Sequence, residues 1–179
     1  MTSRSILSMD TPRLRLRQVA QTDFDDYAAL CADAEVMQYI GDRVPLSRDD
    51  AWRQLAILAG HWTLRGYGMW AVEELSSGKF VGRVGLHFPE GWPDPEVGWA
   101  LSRAYWGRGY AREAASAAMR VAFEMLEWPR AISLIAPLNQ RSINLAERLG
   151  ERFERTIPLR GNPVGLYAID REQWRRANN

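Results

Sequence analysis

At 179 residues, with 46% hydrophobic and 25% charged side chains, the chain has the length and composition of one soluble globular domain spanning residues 1–179, and no apolar run approaches the ~20 residues of a membrane helix. A formal net charge of +1 argues against nucleic acid as a partner, and two histidines with one cysteine argue against a metal site. Cys31 alone excludes an intrachain disulfide; together with an N-terminus lacking the apolar core of a secretory signal, it points to the cytoplasm.

Residues 1–10 show no periodicity and read as a loose start. Thr11 to Val19 alternates, with Leu14 and Leu16 facing one way and Arg13, Arg15 and Arg17 the other, so a half-buried strand with a solvated basic face is expected. A helix follows, capped by Thr22 or Asp23 and carrying Phe24, Tyr27, Ala28, Leu30 and Cys31 as its stripe, then a short turn through Asp33 to Tyr39. Ser47 opens a longer helix that Gly66 and Gly68 end. Met69 to Glu74 and Phe80 to Phe88 read as strands around Ser76-Ser77-Gly78-Lys79, followed by an irregular Pro/Gly loop with Glu90, Trp92 and Asp94. Glu96 to Leu101 is a strand. An alanine-rich helix then runs from about Tyr110 to Glu127, stopped by Trp128-Pro129. Ala131 to Ala136 is a short central strand and Asn139 to Leu149 a helix with Gly150 as its cap. Arg152 to Leu159 and Val164 to Asp170 form a closing hairpin. No repeat, linker or low-complexity tract marks a domain boundary.

The junction between Glu96–Leu101 and the alanine-rich helix reads Tyr105-Trp106-Gly107-Arg108-Gly109-Tyr110-Ala111-Arg112. Two glycines one residue apart at the mouth of a helix leave several N–H groups free of side chains, and the positive end of the helix dipole adds to them. That combination suits a phosphate, with Arg108 and Arg112 adding charge; a plain strand–helix connection would use the same glycines. A dinucleotide fingerprint would need a third glycine where Arg112 stands, and an acid ~20 residues on at the end of a strand. Glu124 and Glu127 still lie within the expected helix, and no Gly-Lys-Ser/Thr opens it as a nucleoside-triphosphate loop requires.

From Thr11 to Trp174, in matching order, the chain resembles the GCN5-related N-acetyltransferase (GNAT) superfamily, whose pyrophosphate turn is Gln/Arg-x-x-Gly-x-Gly/Ala. Trp106 departs from the usual first residues, but Tyr-Trp-Gly-Arg-Gly-Tyr-Ala followed by Glu113-Ala114 is similar to the branch that acetylates ribosomal-protein N-termini, the RimJ/RimL type. The resemblance implies an α+β fold: a mixed, mostly antiparallel sheet of about seven strands flanked by helices, with strands four and five splayed around the pantetheine arm of acetyl-CoA. It implies cofactor contacts from Trp106, Gly107, Arg108, Gly109, Tyr110, Ala111 and Arg112, from the backbone of Trp99, Ala100 and Leu101, and from Asn139 and Ser142. It further implies that Glu96 acts as the base, through water; an exposed carboxylate at a strand end explains it equally.

Where many relatives carry a tyrosine to protonate the thiolate, this chain has Ala146, which leaves Ser142 as the acid candidate; a serine satisfying the first helical turn explains it equally. Gly150-Glu151 departs from the usual Gly-Phe, and Phe153 is expected to fill that core space. His61 reads as structural, His87 as a secondary base candidate, and Tyr167 as packing or pocket lining. Trp70, Trp92 and Trp99 read as an aromatic wall or as sheet packing. The expected acceptor is a primary amine, either a protein N-terminus or a small molecule, bound by a monomer or homodimer through Tyr39–Asp50, Phe88–Pro95 and Leu159–Pro163. Acids such as Asp42, Glu90 and Asp94 suggest that this acceptor is cationic. A silent acyl-CoA-binding module and a nucleotide-binding protein of other chemistry remain compatible with the same residues.

Overall fold

Leu14 and Leu16, both fully buried, alternate with Arg15 and Arg17 to make a strand with one face in the core. The computed structural model describes residues 4–178. In it eight strands form one sheet, beginning with a short edge strand β1 (Ser8–Asp10) beside β2 (Leu14–Gln18). Residues 8–10 are therefore paired rather than loose, with Met9 opposite Leu16 and Asp10 bonded to Arg15 at 2.8 Å; residues 1–3 lie outside the described part. The basic row is not a free charged face either. Arg13 is bonded to Glu113, and Arg17 to Asp23 and Glu73.

The other strands are β3 (Met69–Glu74), β4 (Phe80–His87), β5 (Glu96–Leu101), β6 (Arg130–Ile135), β7 (Arg152–Leu159) and β8 (Asn162–Asp170), in the spatial order 1-2-3-4-5-6-8-7. Pairings are antiparallel except β5 with β6. That parallel pair meets at the single position Glu96 opposite Ile132 and diverges beyond it, as the resemblance implied. The extra strand makes the sheet eight-stranded rather than seven.

Before the first of these helices lies a single turn, α1 (Arg4–Leu7). Helices cover both faces. On one, α2 (Phe24–Ala32), the single turn α3 (Ala34–Met37) and α4 (Arg48–Arg65) bury Tyr27, Leu30, Cys31, Leu55 and Leu58 against Met69, Ala71 and Ala100. Ser47 caps α4 by accepting from Asp50 N–H at 3.1 Å, and Gly66 ends it in the left-handed region. On the other face α5 (Tyr110–Arg120) lies close to the sheet through Ala114, Ala115, Ala117 and Ala118, each at most 1% exposed. Small side chains set that short separation and so fix where the N-terminus of α5 sits relative to β5.

The alanine-rich helix does not run regularly to Glu127. A π turn occupies Val121–Met125, Leu126 N–H bonds Val121 O, and Glu127 turns to φ +53°. After β6, α6 (Gln140–Arg148) packs at the divergent end of the sheet. A final helix, α7 (Arg171–Asn178), was not expected. Its only buried side chain, Trp174, stacks on Phe123 at 5.3 Å, and one apolar anchor is too weak a period to read from sequence.

Candidate active site

Where β5 leaves β6, side chains occupy the positions that a ladder would fill with main chain. Glu96 spans the opening: Leu134 N–H donates to Oε1 at 3.4 Å and the Trp92 indole to Oε2 at 2.8 Å. Ser133 donates to the Val97 carbonyl at 2.7 Å. Higher up, the Trp99 indole donates to Ser142 Oγ at 3.1 Å, bridging strand to helix. Ser142 thus accepts from Trp99 and keeps its own proton free to donate. Asn139 caps α6 by accepting from Ser142 N–H at 3.2 Å, which leaves its amide NH₂ group without a partner among the described hydrogen bonds. All of these residues border a cavity of about 620 Å³.

Burial pushes the Glu96 carboxyl up to about 7, against the opposing pull of the Trp92 indole, the Leu134 amide and the Arg83 charge. Behind it lies Glu151, fully buried, with Oε1 3.0 Å from Ser133 Oγ and Oε2 without any partner. Ser133 has one proton, which the shorter contact assigns to Val97 O, so the contact with Glu151 requires a proton on the carboxyl. Burial, and then the neighbouring Glu96, likewise push Glu151 well above the ordinary carboxylate range. Phe153 does not fill this space; it stands 55% exposed on the edge strand β7, beside Tyr167. β7 lies outermost, so its side chains meet solvent, while the residue just before its paired stretch turns into the core.

The turn before α5 is shaped differently. Gly107 and Gly109 take φ of +74° and +80°, which only glycine adopts without strain, and a Cβ on Gly107 would meet nothing within 4 Å. None of the described hydrogen bonds uses the N–H of Gly107, Arg108 or Gly109, and Glu113 is the first residue to bond back, to Gly109 O at 3.1 Å. The N–H groups of Tyr110, Ala111 and Arg112 belong to the first turn, which has no intrahelical acceptors. The turn is braced from the loop leading into β2: Glu113 accepts from Thr11 Oγ1, Arg13 N–H and Arg13 Nε, while Arg13 Nη1 donates to Arg108 O. Tyr110 is anchored through its hydroxyl, which donates to Glu74 at 2.5 Å. Trp106 turns inward, donating to Leu101 O at 2.8 Å, with Arg141 4.2 Å over its ring.

One expected contact fails. Ser102 N–H pairs with Val81 O, and Ala100 lies opposite Arg83. Strand alternation therefore turns the Ala100 N–H into β4 and directs those of Trp99 and Leu101 to the gap. Ala100 cannot offer its amide to a cofactor there.

The other candidates divide between the opening and the core. His61 is a staple: Phe88 N–H donates to Nε2 at 3.0 Å, which places its proton on Nδ1, 2.8 Å from Tyr67 O. His87 lines the cavity, but burial first, then the charges of Arg83, His61 and Arg160, hold it down at about 3, so it is a weak base. Tyr167 packs with Ile135 and Ala146. Trp70 is fully buried and donates to Ile6 O, away from the opening, whereas Trp92 and Trp99 both reach it. The acids expected to attract a cation disperse: Asp94 faces Arg130 at 3.5 Å, exposed Glu90 lies 3.8 Å from Arg65, and Asp42 alone of the three borders the cavity. Among the described residues, no helix is long and apolar enough to cross a membrane.

Residues 13–152 match the family model "Acetyltransferase (GNAT) domain". The chain belongs to the GNAT acetyltransferase family. The uncharacterized protein YkkB of Bacillus subtilis is 30% identical over 165 residues, 88% of this chain and 92% of that protein. A solved acetyltransferase from Agrobacterium tumefaciens superposes with a TM-score of 0.81 at 29% identity, covering 90% of this chain and 93% of that one. RimL, a ribosomal L7/L12 alpha-N-protein acetyltransferase solved in complex with coenzyme A, superposes with a TM-score of 0.74 at 18% identity, covering 89% and 95%; that likeness is one of fold. A GNAT domain is an acetyl-CoA-dependent acetyltransferase. In this GNAT chain the site of the missing tyrosine is a fully buried Ala146, packed on Ile135 and Tyr167.

Sequence reasoning passed over Ser133, Glu151 and Arg83. The serine sits in an apolar strand and the other two look like ordinary surface charges. The one available signal was Glu151 standing where the family pattern has an aromatic residue.

Proposed function

We propose that this chain carries the acetyl group of acetyl-CoA to a primary amine by direct attack, with Glu96 receiving the amine proton and Ser142 giving a proton to the departing sulfur. Acetyl-CoA supplies the acetyl group as an activated thioester. The observation that carries the reading is a buried carboxyl held at about 7 on the floor of the strand opening. A base near neutral pH suits an α-amine of pKa about 8 better than a lysine near 10.4.

The residues fit the coenzyme. The N–H groups of Gly107 to Arg112 suit a diphosphate, the gap-facing main chain of Trp99 and Leu101 and the free NH₂ of Asn139 suit an amide-bearing arm, and Ser142 lines the same cavity as Glu96. Direct attack is favoured over an acyl-enzyme because Cys31 is buried, its thiol pushed up by that burial, beside Gln54.

Titration of acetyl-CoA into the wild type and into Gly109→Trp tests the seat, with circular dichroism confirming the fold. Binding should weaken at least about tenfold, since the side chain both strains a left-handed position and covers the amides. Unchanged affinity overturns the assignment.

A further inference from the structure

Arg83 lines the cavity with a buried, unpartnered Nε, and neither the fold nor the proposed chemistry has yet provided a use for it. It lies mid-strand on β4, opposite Ala71 of β3 and Ala100 of β5. Those small neighbours leave room for its long side chain on the face covered by α2 and α4. Its Nε is out of contact with solvent and has no partner, and no described carboxylate lies within ion-pair distance of it. Arg13, Arg15, Arg17, Arg103 and Arg130 all have carboxylate partners, so leaving this one open is not for want of acids.

Arg83 is only part-buried, but a guanidinium N–H held off water with no acceptor is costly unless something completes it. Nothing else on its wall does so. Arg43 donates to Pro163 O, Arg53 and Asp50 satisfy each other, and Arg160 brings further positive charge. The turn at Gly107 does not border this cavity, so a phosphate seated there would not reach Arg83.

Resting on the acetyl-transfer reading, we propose that Arg83 is an acceptor subsite: it binds the carboxylate of an acceptor whose amino group is presented to Glu96. A planar fork of donors matches a carboxylate in a two-point contact. The acceptor is then an amine that also carries a carboxylate, and its source is either a free amino acid or a peptide with an acidic side chain near its N-terminus. The dispersal of Asp94 and Glu90 away from the cavity agrees with an anionic rather than a cationic acceptor.

Thiol release from acetyl-CoA decides the matter with matched pairs: glycine, β-alanine and 4-aminobutyrate against their carboxamides, and peptides beginning Ala-Asp or Ala-Glu against Ala-Asn or Ala-Gln. Wild type should prefer the acid of a pair by roughly 100-fold in kcat/KM. Arg83→Met should abolish that preference through KM, read as the acid-to-amide ratio so that any effect of the lost charge on Glu96 cancels, and Arg83→Lys should restore part of it. Preference among the free amino acids identifies a small-molecule acceptor, and preference among the peptides alone a protein one. Equal rates for acid and amide in wild type, or an equal fall for both in Arg83→Met, overturn the proposal. If no amine releases thiol, the acetyl-transfer reading fails separately. Calorimetry of N-acetylglycine against its methylamide, in wild type and Arg83→Met, then tests the subsite alone: a carboxylate preference lost in the variant supports it, and none overturns it.

Discussion

The two ends of the opening between β5 and β6 solve different problems with different parts of the chain. At the turn, Gly107 to Arg112 present main-chain donors on an exposed loop, and the nearby charges Arg13 and Glu113 are spent bracing that loop. At the floor, Glu96, Ser133 and Glu151 present side chains, all of them buried, with two carboxyls pushed towards their acid forms. An anion seat works in water because many weak dipoles converge without desolvating a charge. A proton acceptor near pH 7 requires burial, which only packing can supply.

Breaking the floor should cost most. Glu96→Gln is expected to lower kcat by roughly 100- to 10,000-fold. In wild type, kcat/KM should rise with pH through about 7 as Glu96 loses its proton, and the variant should lack that limb. The same change should stabilise the fold. The Glu96 pKa is raised, so the stability this group contributes is full below its unfolded value and is lost as pH rises through about 7. Relief above pH 7 is worth about 3 kcal/mol, and thermal melts at pH 8 should show Glu96→Gln melting about 5–10 °C higher. A melt unchanged by the substitution would mean the carboxyl is solvated.

Ser142→Ala should have a smaller effect. Removing the hydroxyl that Trp99 orients should reduce kcat by about tenfold with acetyl-CoA affinity unchanged. Equal activity would assign the serine to helix capping alone. Smallest is the brace. Glu113→Ala removes three hydrogen bonds from Thr11 and Arg13 and should weaken acetyl-CoA binding about three- to tenfold while leaving kcat nearly intact. A large fall in kcat instead would couple the two ends and dissolve the contrast between them.

The turn was legible because its chemistry is local. Glycine spacing, the start of a helix and the absence of side chains are all properties of consecutive residues. The floor was half legible. Glu96 stood at the head of a recognisable strand, but its raised pKa comes from burial, which outweighs the opposing hydrogen bonds from Trp92 and Leu134. Ser133 and Glu151 come from separate elements and meet only across the sheet. Phe153 illustrates the limit: hydrophobicity suggested a core residue, whereas β7 proved to be the outermost strand and left it exposed. Ala100 shows another, since which amide of a strand is free depends on the phase of its pairing with the neighbour.

By itself the sequence determined the order of the elements from β2 to β8, the glycine turn before α5 and the absence of a tyrosine at position 146, because periodicity, turn chemistry and residue identity act over a few neighbouring positions. Tertiary structure alone decided which acids are buried, which arginines find partners and which edge of β5 stays open. Desolvation and ion pairing depend on groups far apart in the chain, Glu96 at the start of β5, Glu151 just before β7 and Arg83 beneath two helices, and their energies exist only once those groups are brought together.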